Sequence, residues 1–203
     1  MDKVILIGGA PAIGKSFIAR KLSEELRLPW ISTDTVREQM RKIVRKEDYP
    51  ALFMHAHATA EMAVEFLTGN TPEEIVKHQN DESIEVWKGV RALIETDYVW
   101  KSFIVEGVAV LPHLVADLKV KTKNIQSIFL VDEDEERIRN TVFTRGLWDD
   151  ADKYPDSVKE KEVAWVLAFG KFIKREAEKY KFPYIAIKDR DSCFEQVKKL
   201  VGD

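Results

Sequence analysis

The sequence predicts an α/β fold: a five-stranded parallel sheet with helices on both faces. Three observations carry this. Short apolar, β-branched runs alternate with longer segments of helical period. The first run, Lys3–Ile7, leads through a glycine-bounded loop into Ser16–Arg27, where Phe17, Ile18, Leu22 and Leu26 recur at helical spacing. Later apolar runs end in acids, at Asp34, Glu106 and Asp132.

The elements follow in order. Leu28–Asp34 reads as a second strand ending in a polar turn, with Thr33 or Asp34 as the cap of a helix from Thr35 to about Arg45. Asp48-Tyr49-Pro50 breaks it, and Pro50 opens a helix over about Ala51–Leu67, with Leu52, Ala56, Ala60, Ala63 and Leu67 as its apolar stripe. Thr71 caps the next helical stretch with Glu74 as its capping-box partner, and that stretch runs to about Glu95. Ser102–Gly107 is the third strand, Leu111–Asp117 a short helix and Ile125–Asp132 the fourth strand. Glu133–Thr144 is a charged helix. Leu147–Pro155 has no period and reads as a mobile loop, followed by a long helix over Glu160–Tyr180. Phe182–Ile187 is the fifth strand and Asp191–Val201 the closing helix.

The loop between the first strand and helix is Gly9-Ala10-Pro11-Ala12-Ile13-Gly14-Lys15-Ser16, the G-x-x-x-x-G-K-S pattern of phosphate-binding loops. Its glycines let successive backbone N–H groups face one concavity at the positive end of a helix, where phosphate oxygens sit. Lys15 is expected to reach the β- and γ-phosphates, and the Ser16 hydroxyl to ligate Mg²⁺. Gly9 through Ser16, with Phe17, are therefore the expected nucleotide contacts.

The 203 residues suit one domain over 1–203, with a short lid at about 137–160. A formal charge of −3 argues against a general nucleic-acid or anionic-membrane surface. The single cysteine, Cys193, excludes an internal disulfide and a four-cysteine zinc site, and fits a reduced, cytoplasmic setting. No signal peptide and no membrane-spanning apolar stretch is visible.

In open parallel sheets ligands bind beyond the carboxyl ends of the strands, so the phosphate loop, Asp34, Glu106 and Asp132 should share one edge. There Asp34 can orient an acceptor hydroxyl and take its proton, and Arg37 can clamp an anionic acceptor. Glu106, ending an apolar strand, is placed to hold Mg²⁺ directly or through water, and Gly107 leaves room for a ligand. Arginines at the loop after the charged helix can stabilise charge on a transferring phosphoryl group. Of these Arg145 is the expected lid residue, Arg139 a further phosphate contact, and Arg137 a surface arginine. Arg190, after the fifth strand, is placed to contact the nucleotide base. His55, His57, His78 and His113 form no metal pattern.

These residues together resemble the small P-loop kinases, and within them the 2-phosphoglycerate kinase-like family. The shared pieces are the glycine loop, Ser32-Thr33-Asp34 followed by Arg37, Glu106-Gly107-Val108 at the end of the third strand, and the stretch from His78-Gln79 to Gly89. The sequence departs from that family in carrying its next histidine only at His113, and in lacking a histidine-arginine pattern after Arg145. The resemblance implies a P-loop three-layer αβα fold, ATP and Mg²⁺, and phosphoryl transfer to a small acceptor. The expected protein is a monomer or homodimer whose partners are ATP and that acceptor. The alternatives are a nucleoside, sugar-acid or antibiotic kinase, or a non-catalytic nucleotide-binding switch.

Overall fold

The computed structural model describes residues 2–54, 59–96, 101–118, 123–146 and 152–202. One all-parallel sheet is built from β1 (Asp2–Gly9), β2 (Trp30–Ser32), β3 (Phe103–Glu106), β4 (Lys123–Val131) and β5 (Tyr184–Ala186), in the spatial order β2-β3-β1-β4-β5. β1 is central: Val4 lies opposite Phe103 on one side and Ile125 on the other. Val4, Ile5, Leu6 and Ile7 are fully buried, as expected of a strand covered on both faces.

The helices are α1 (Lys15–Leu26), α2 (Thr33–Ile43), α3 (Ala60–Gly69), α4 (Pro72–Glu95), α5 (Pro112–Ala116), α6 (Glu135–Thr144), α7 (Asp156–Tyr180) and α8 (Arg190–Val201). Parallel crossovers are right-handed. The step from β1 to β2 runs one way across the sheet, and the steps from β2 to β3, β3 to β4 and β4 to β5 run the other. α1 and α8 therefore pack together on one face, while α4 and α7 pack on each other over the opposite face, where α7 lies against β1 and β4. The winding reverses between β1 and β3, which opens a crevice beyond their carboxyl ends.

Several boundaries differ from expectation. Ser32, not Thr33 or Asp34, caps α2: its Oγ accepts from the Thr35 N–H at 3.1 Å. The strand thus stops earlier, and Asp34 belongs to the first turn of the helix. The helix expected over Ala51–Leu67 is a 3-10 turn at Pro50–Phe53 and a separate α3, because Thr59 provides a new cap, accepting from the Met62 N–H at 3.3 Å. α7 starts at Asp156 instead of Glu160, directly after Pro155. The Thr71–Glu74 capping box is present as expected, with Glu74 accepting from the Thr71 N–H at 2.8 Å. His55 and His57, and residues 147–151 of the expected mobile loop, lie outside the described residues.

Two close approaches join these elements. A Cβ on Gly89 of α4 would fall 2.8 Å from Val36 and 2.6 Å from Met40 Sδ, so the bare glycine lets α2 settle onto α4. A Cβ on Gly107, whose φ is +147°, would fall 1.9 Å from Thr33 Oγ1. Gly107→Ala should therefore cost about 2 kcal/mol or more in urea denaturation. Gly89→Ala should cost less, because its backbone is helical and unstrained and the flexible Met40 can bend away, although the stiffer Val36 must also shift.

Cys193 lies in α8, 1 % exposed, and burial pushes its thiol up to about 11. At pH 8 the native protein should react with iodoacetamide far more slowly than the urea-unfolded chain, since only the thiolate attacks. Equal rates in the two states would contradict the buried placement.

Candidate active site

The phosphate loop turns through two left-handed residues, Ala12 (φ 61°) and Gly14 (φ 91°), and delivers Lys15 to the first turn of α1. Lys15 is 7 % exposed, and its Nζ donates to the Ala10 carbonyl at 2.6 Å. Ser16 follows, and its hydroxyl donates to Glu106 Oε1 at 3.0 Å. Glu106 ends β3 at 2 % exposure, directly across the switch point from the loop.

These charges act on one another. Burial pushes the Lys15 ammonium down, opposed by the Glu106 and Asp34 carboxylates and reinforced by the positive charge of Arg145. Burial pushes Glu106 up, opposed by Lys15 and by the Ser16 hydroxyl. Lys15 is thus within electrostatic reach of Glu106, Asp34 and Arg145, although the four come from separate elements. Arg145 can arrive there because α6 ends at Thr144, leaving Arg145 as its C-cap ahead of Gly146 at φ 79°.

On the β2 side, Asp34 forms an ion pair with Arg37, its Oδ1 3.0 Å from Nη1. The same nitrogen is 3.7 Å from Glu82 Oε2, and Arg37 Nε donates to Glu38 at 3.1 Å. Burial opposes the Arg37 charge, but Asp34, Glu82 and Glu38 together hold its pKa above the usual value. Arg41 donates to Glu82 Oε1 at 2.8 Å, to Glu38 at 2.7 Å and to the Leu52 carbonyl at 2.7 Å. Thr33, Asp34, Arg37, Gln79, Glu82 and Ser83 line a narrow crevice between α2 and α4.

Glu82, 3 % exposed, is the site residue that sequence reasoning missed. A signal was available. Gln79, Glu82 and Ser83 lie on the same helical stripe as Ile75, Val86 and Val90, so three polar residues interrupt a face that is otherwise core. Glu82→Gln should destabilise the protein by about 3 kcal/mol in urea denaturation, because it leaves Arg41 buried without its full counter-charge.

Other expected residues have different partners. Arg139, expected at a phosphate, pairs with Glu135 within α6 and joins α6 to α7 through Glu160. Its place on the helix faces α7, whereas Arg145 follows the helix end. Asp132 directly follows β4 but is consumed by Arg137, which donates to it at 2.7 and 2.6 Å and also donates to the Ile187 and Lys188 carbonyls. That pair fastens β4 to the end of β5. His113 lies 3.5 Å from Glu176 and edge-on to Phe172, within the α5–α7 contact. Arg190 stacks over Phe17, its guanidinium carbon 5.4 Å from the ring centroid, just beyond the phosphate loop.

The donor set suits Mg²⁺: a hydroxyl and a carboxylate oxygen already 3.0 Å apart, Ser16 and Glu106, hard ligands that leave most positions to water and phosphate.

Fold and loop define a P-loop domain. Residues 4–82 match the family described as "AAA domain". The sequence is similar to 2-phosphoglycerate kinases. That of Methanocaldococcus jannaschii is 31 % identical over 145 residues, covering 70 % of this chain and 46 % of the relative. That of Methanopyrus kandleri is 27 % identical over 209 residues, covering 98 % of this chain and 60 % of the relative. The chain thus spans about half the length of the curated relatives it matches. Among solved structures, a gluconokinase from Sinorhizobium meliloti superposes with a TM-score of 0.56 at 11 % identity, covering 99 % of this chain and 90 % of that one. At that identity the likeness speaks to the fold. Among the described residues no helix is long and apolar enough to cross a membrane.

Proposed function

We propose that this chain transfers the γ-phosphoryl group of ATP to a hydroxyl of a small anionic acceptor of the 2-phosphoglycerate type. The observation that carries the reading is the buried Lys15 beside the Ser16–Glu106 hydrogen bond of 3.0 Å, with the Asp34–Arg37 pair on the acceptor side and Asp34 in electrostatic reach of both Lys15 and Glu106. A loop that only bound nucleotide would need no carboxylate on the acceptor side. The similarity to 2-phosphoglycerate kinases supports the acceptor class.

Gly9 to Ser16 cradle the phosphates with their backbone N–H groups. Lys15 leaves the Ala10 carbonyl and neutralises the β- and γ-phosphates. Ser16 and Glu106 would hold Mg²⁺, directly or through water, and the bound cation would supply counter-charge to the phosphates. Phe17 and Arg190 flank the base. Arg37 holds the acceptor anion, and Asp34 orients the attacking hydroxyl and takes its proton as the new O–P bond forms and ADP leaves. Arg145, which follows α6, stabilises the equatorial oxygens in flight.

The test is ATP consumption with Mg²⁺ against 2-phosphoglycerate, sugar acids, nucleosides, aminoglycosides and phenicols. Stimulation by 2-phosphoglycerate is expected, and it should vanish in Lys15→Ala. Asp34→Asn should lower kcat about 100-fold while nucleotide affinity holds. Tight ATP binding without stimulation by any acceptor would instead favour a nucleotide-binding switch.

A further inference from the structure

We propose that Arg137 is a positioning residue for the nucleotide base: it fixes the turn between β5 and α8, so that Arg190 is presented beside the phosphate loop. The inference rests on the nucleotide half of the kinase reading, in which Phe17 and Arg190 flank the base. Sequence patterning predicts a surface arginine at 137, but the structure engages all three of its side-chain nitrogens. Nε and Nη2 donate to the Asp132 carboxylate at 2.7 and 2.6 Å. Nη2 also donates to the Ile187 carbonyl at 2.7 Å, and Nη1 to the Lys188 carbonyl at 2.8 Å, with Asp134 Oδ2 3.3 Å from Nη1. Asp132 is 5 % exposed, and its Oδ1 also accepts from the Asp134 N–H at 3.0 Å, so the carboxylate at the root of this clamp is itself held.

The clamp sits where the sheet stops holding the chain. β5 is an edge strand of three residues, and one further bond, from the Ile187 N–H to the Val131 carbonyl at 2.8 Å, extends its pairing with β4. The next two carbonyls, of Ile187 and Lys188, are the ones Arg137 takes. Asp189 then caps α8, accepting from the Ser192 N–H at 2.8 Å and from its hydroxyl at 2.6 Å. These bonds hold the Asp189 carboxyl below its usual range, and the charge of Arg137 adds to the effect. Arg190 opens the helix, so a single residue separates it from the last clamped carbonyl.

Arg190 is exposed, and its guanidinium carbon lies 5.4 Å from the Phe17 ring centroid. Phe17 directly follows Ser16, which puts the pair at the edge of the phosphate site. A planar guanidinium backed by a ring on one face can take a second flat, electron-rich group on the other. A purine base is such a group. Fastening an edge strand needs only its ladder bonds. A guanidinium spent on the turn beyond the ladder removes the freedom of that turn, and Arg190 takes its direction from it. Ordering the turn before the nucleotide arrives removes an entropic cost from binding. A lysine at 137 can keep the Asp132 pair, but its single nitrogen cannot hold a carboxylate and two carbonyls in one plane.

Calorimetric titration of the full chain with Mg²⁺·ATP and with Mg²⁺·tripolyphosphate tests this, because tripolyphosphate fills the loop and lacks the base. Arg137→Lys should raise the Kd for ATP about fivefold and Arg190→Ala about tenfold, while tripolyphosphate binds both as it binds wild type. Added to Arg190→Ala, Arg137→Lys should change the ATP Kd no further, since the first residue acts through the second. Asp132→Asn loosens the same clamp with one acceptor oxygen fewer; it should repeat the split, and it serves if Arg137→Lys does not fold. Wild-type ATP affinity in the folded clamp variant overturns the proposal and leaves the kinase reading standing. So does equal weakening of ATP and tripolyphosphate, which marks a general distortion, and so does additivity of Arg137→Lys with Arg190→Ala. If neither ATP nor tripolyphosphate binds the wild type, the kinase reading fails and takes this proposal with it.

Discussion

The site depends on a carboxylate held almost without water at the end of β3. Glu106 is 2 % exposed, a position where an isolated charge is strongly disfavoured. It is tolerable because the switch point of the sheet sets it against Lys15 and Ser16 from the neighbouring strand's loop. The dependence is mutual, since the same carboxylate offsets the burial of the lysine. Neither group is comfortable alone, and the parallel pairing of β1 with β3 brings them together. The geometry is therefore set by the most rigid part of the molecule, the centre of its sheet, and not by the loops.

The acceptor side is built differently. Here α2 and α4 approach closely over Gly89, and the contact is stitched by Arg37 and Arg41 around Glu82. Burial raises Glu82, and two guanidiniums oppose that rise. An ion cluster of this kind adds little net stability, because desolvation consumes most of the attraction. Its contribution is definition: each guanidinium has fixed directions, so Arg37 is held in one orientation toward the crevice.

Much of the architecture could be read from the chain. The unbroken apolar run of β1, the glycine loop, and the Thr71–Glu74 pair each obey a local rule, and each appears as the rule requires. Asp34, Arg37 and Glu106 came into view because strand ends in a parallel sheet share one edge. What stayed hidden was decided by contacts between distant segments. Ser32 displaces Thr33 as the helix cap because Thr33 is drawn inward against Gly107, seventy-odd positions along, a pull that no local pattern displays. Arg139 and Arg145 are both basic residues near one helix end. Only the facing acid on α7, Glu160, separates the structural one from the one near Lys15. Glu82 lay in plain sight on a core stripe, but its meaning needed the two arginines that meet it.

The strand order also bears on how the molecule comes to be folded. The central strand borders β3 and β4, so Val4 must find Phe103 and Ile125 across most of the intervening chain. Long-range parallel pairing closes large loops before it returns any contact energy, and chains that depend on it fold slowly. Until β3 and β4 dock, the Val4–Ile7 run is an apolar, β-prone segment with both edges open, the kind that seeks strands in other molecules. The strand that anchors the phosphate loop in the finished protein is thus the chief aggregation hazard during its assembly.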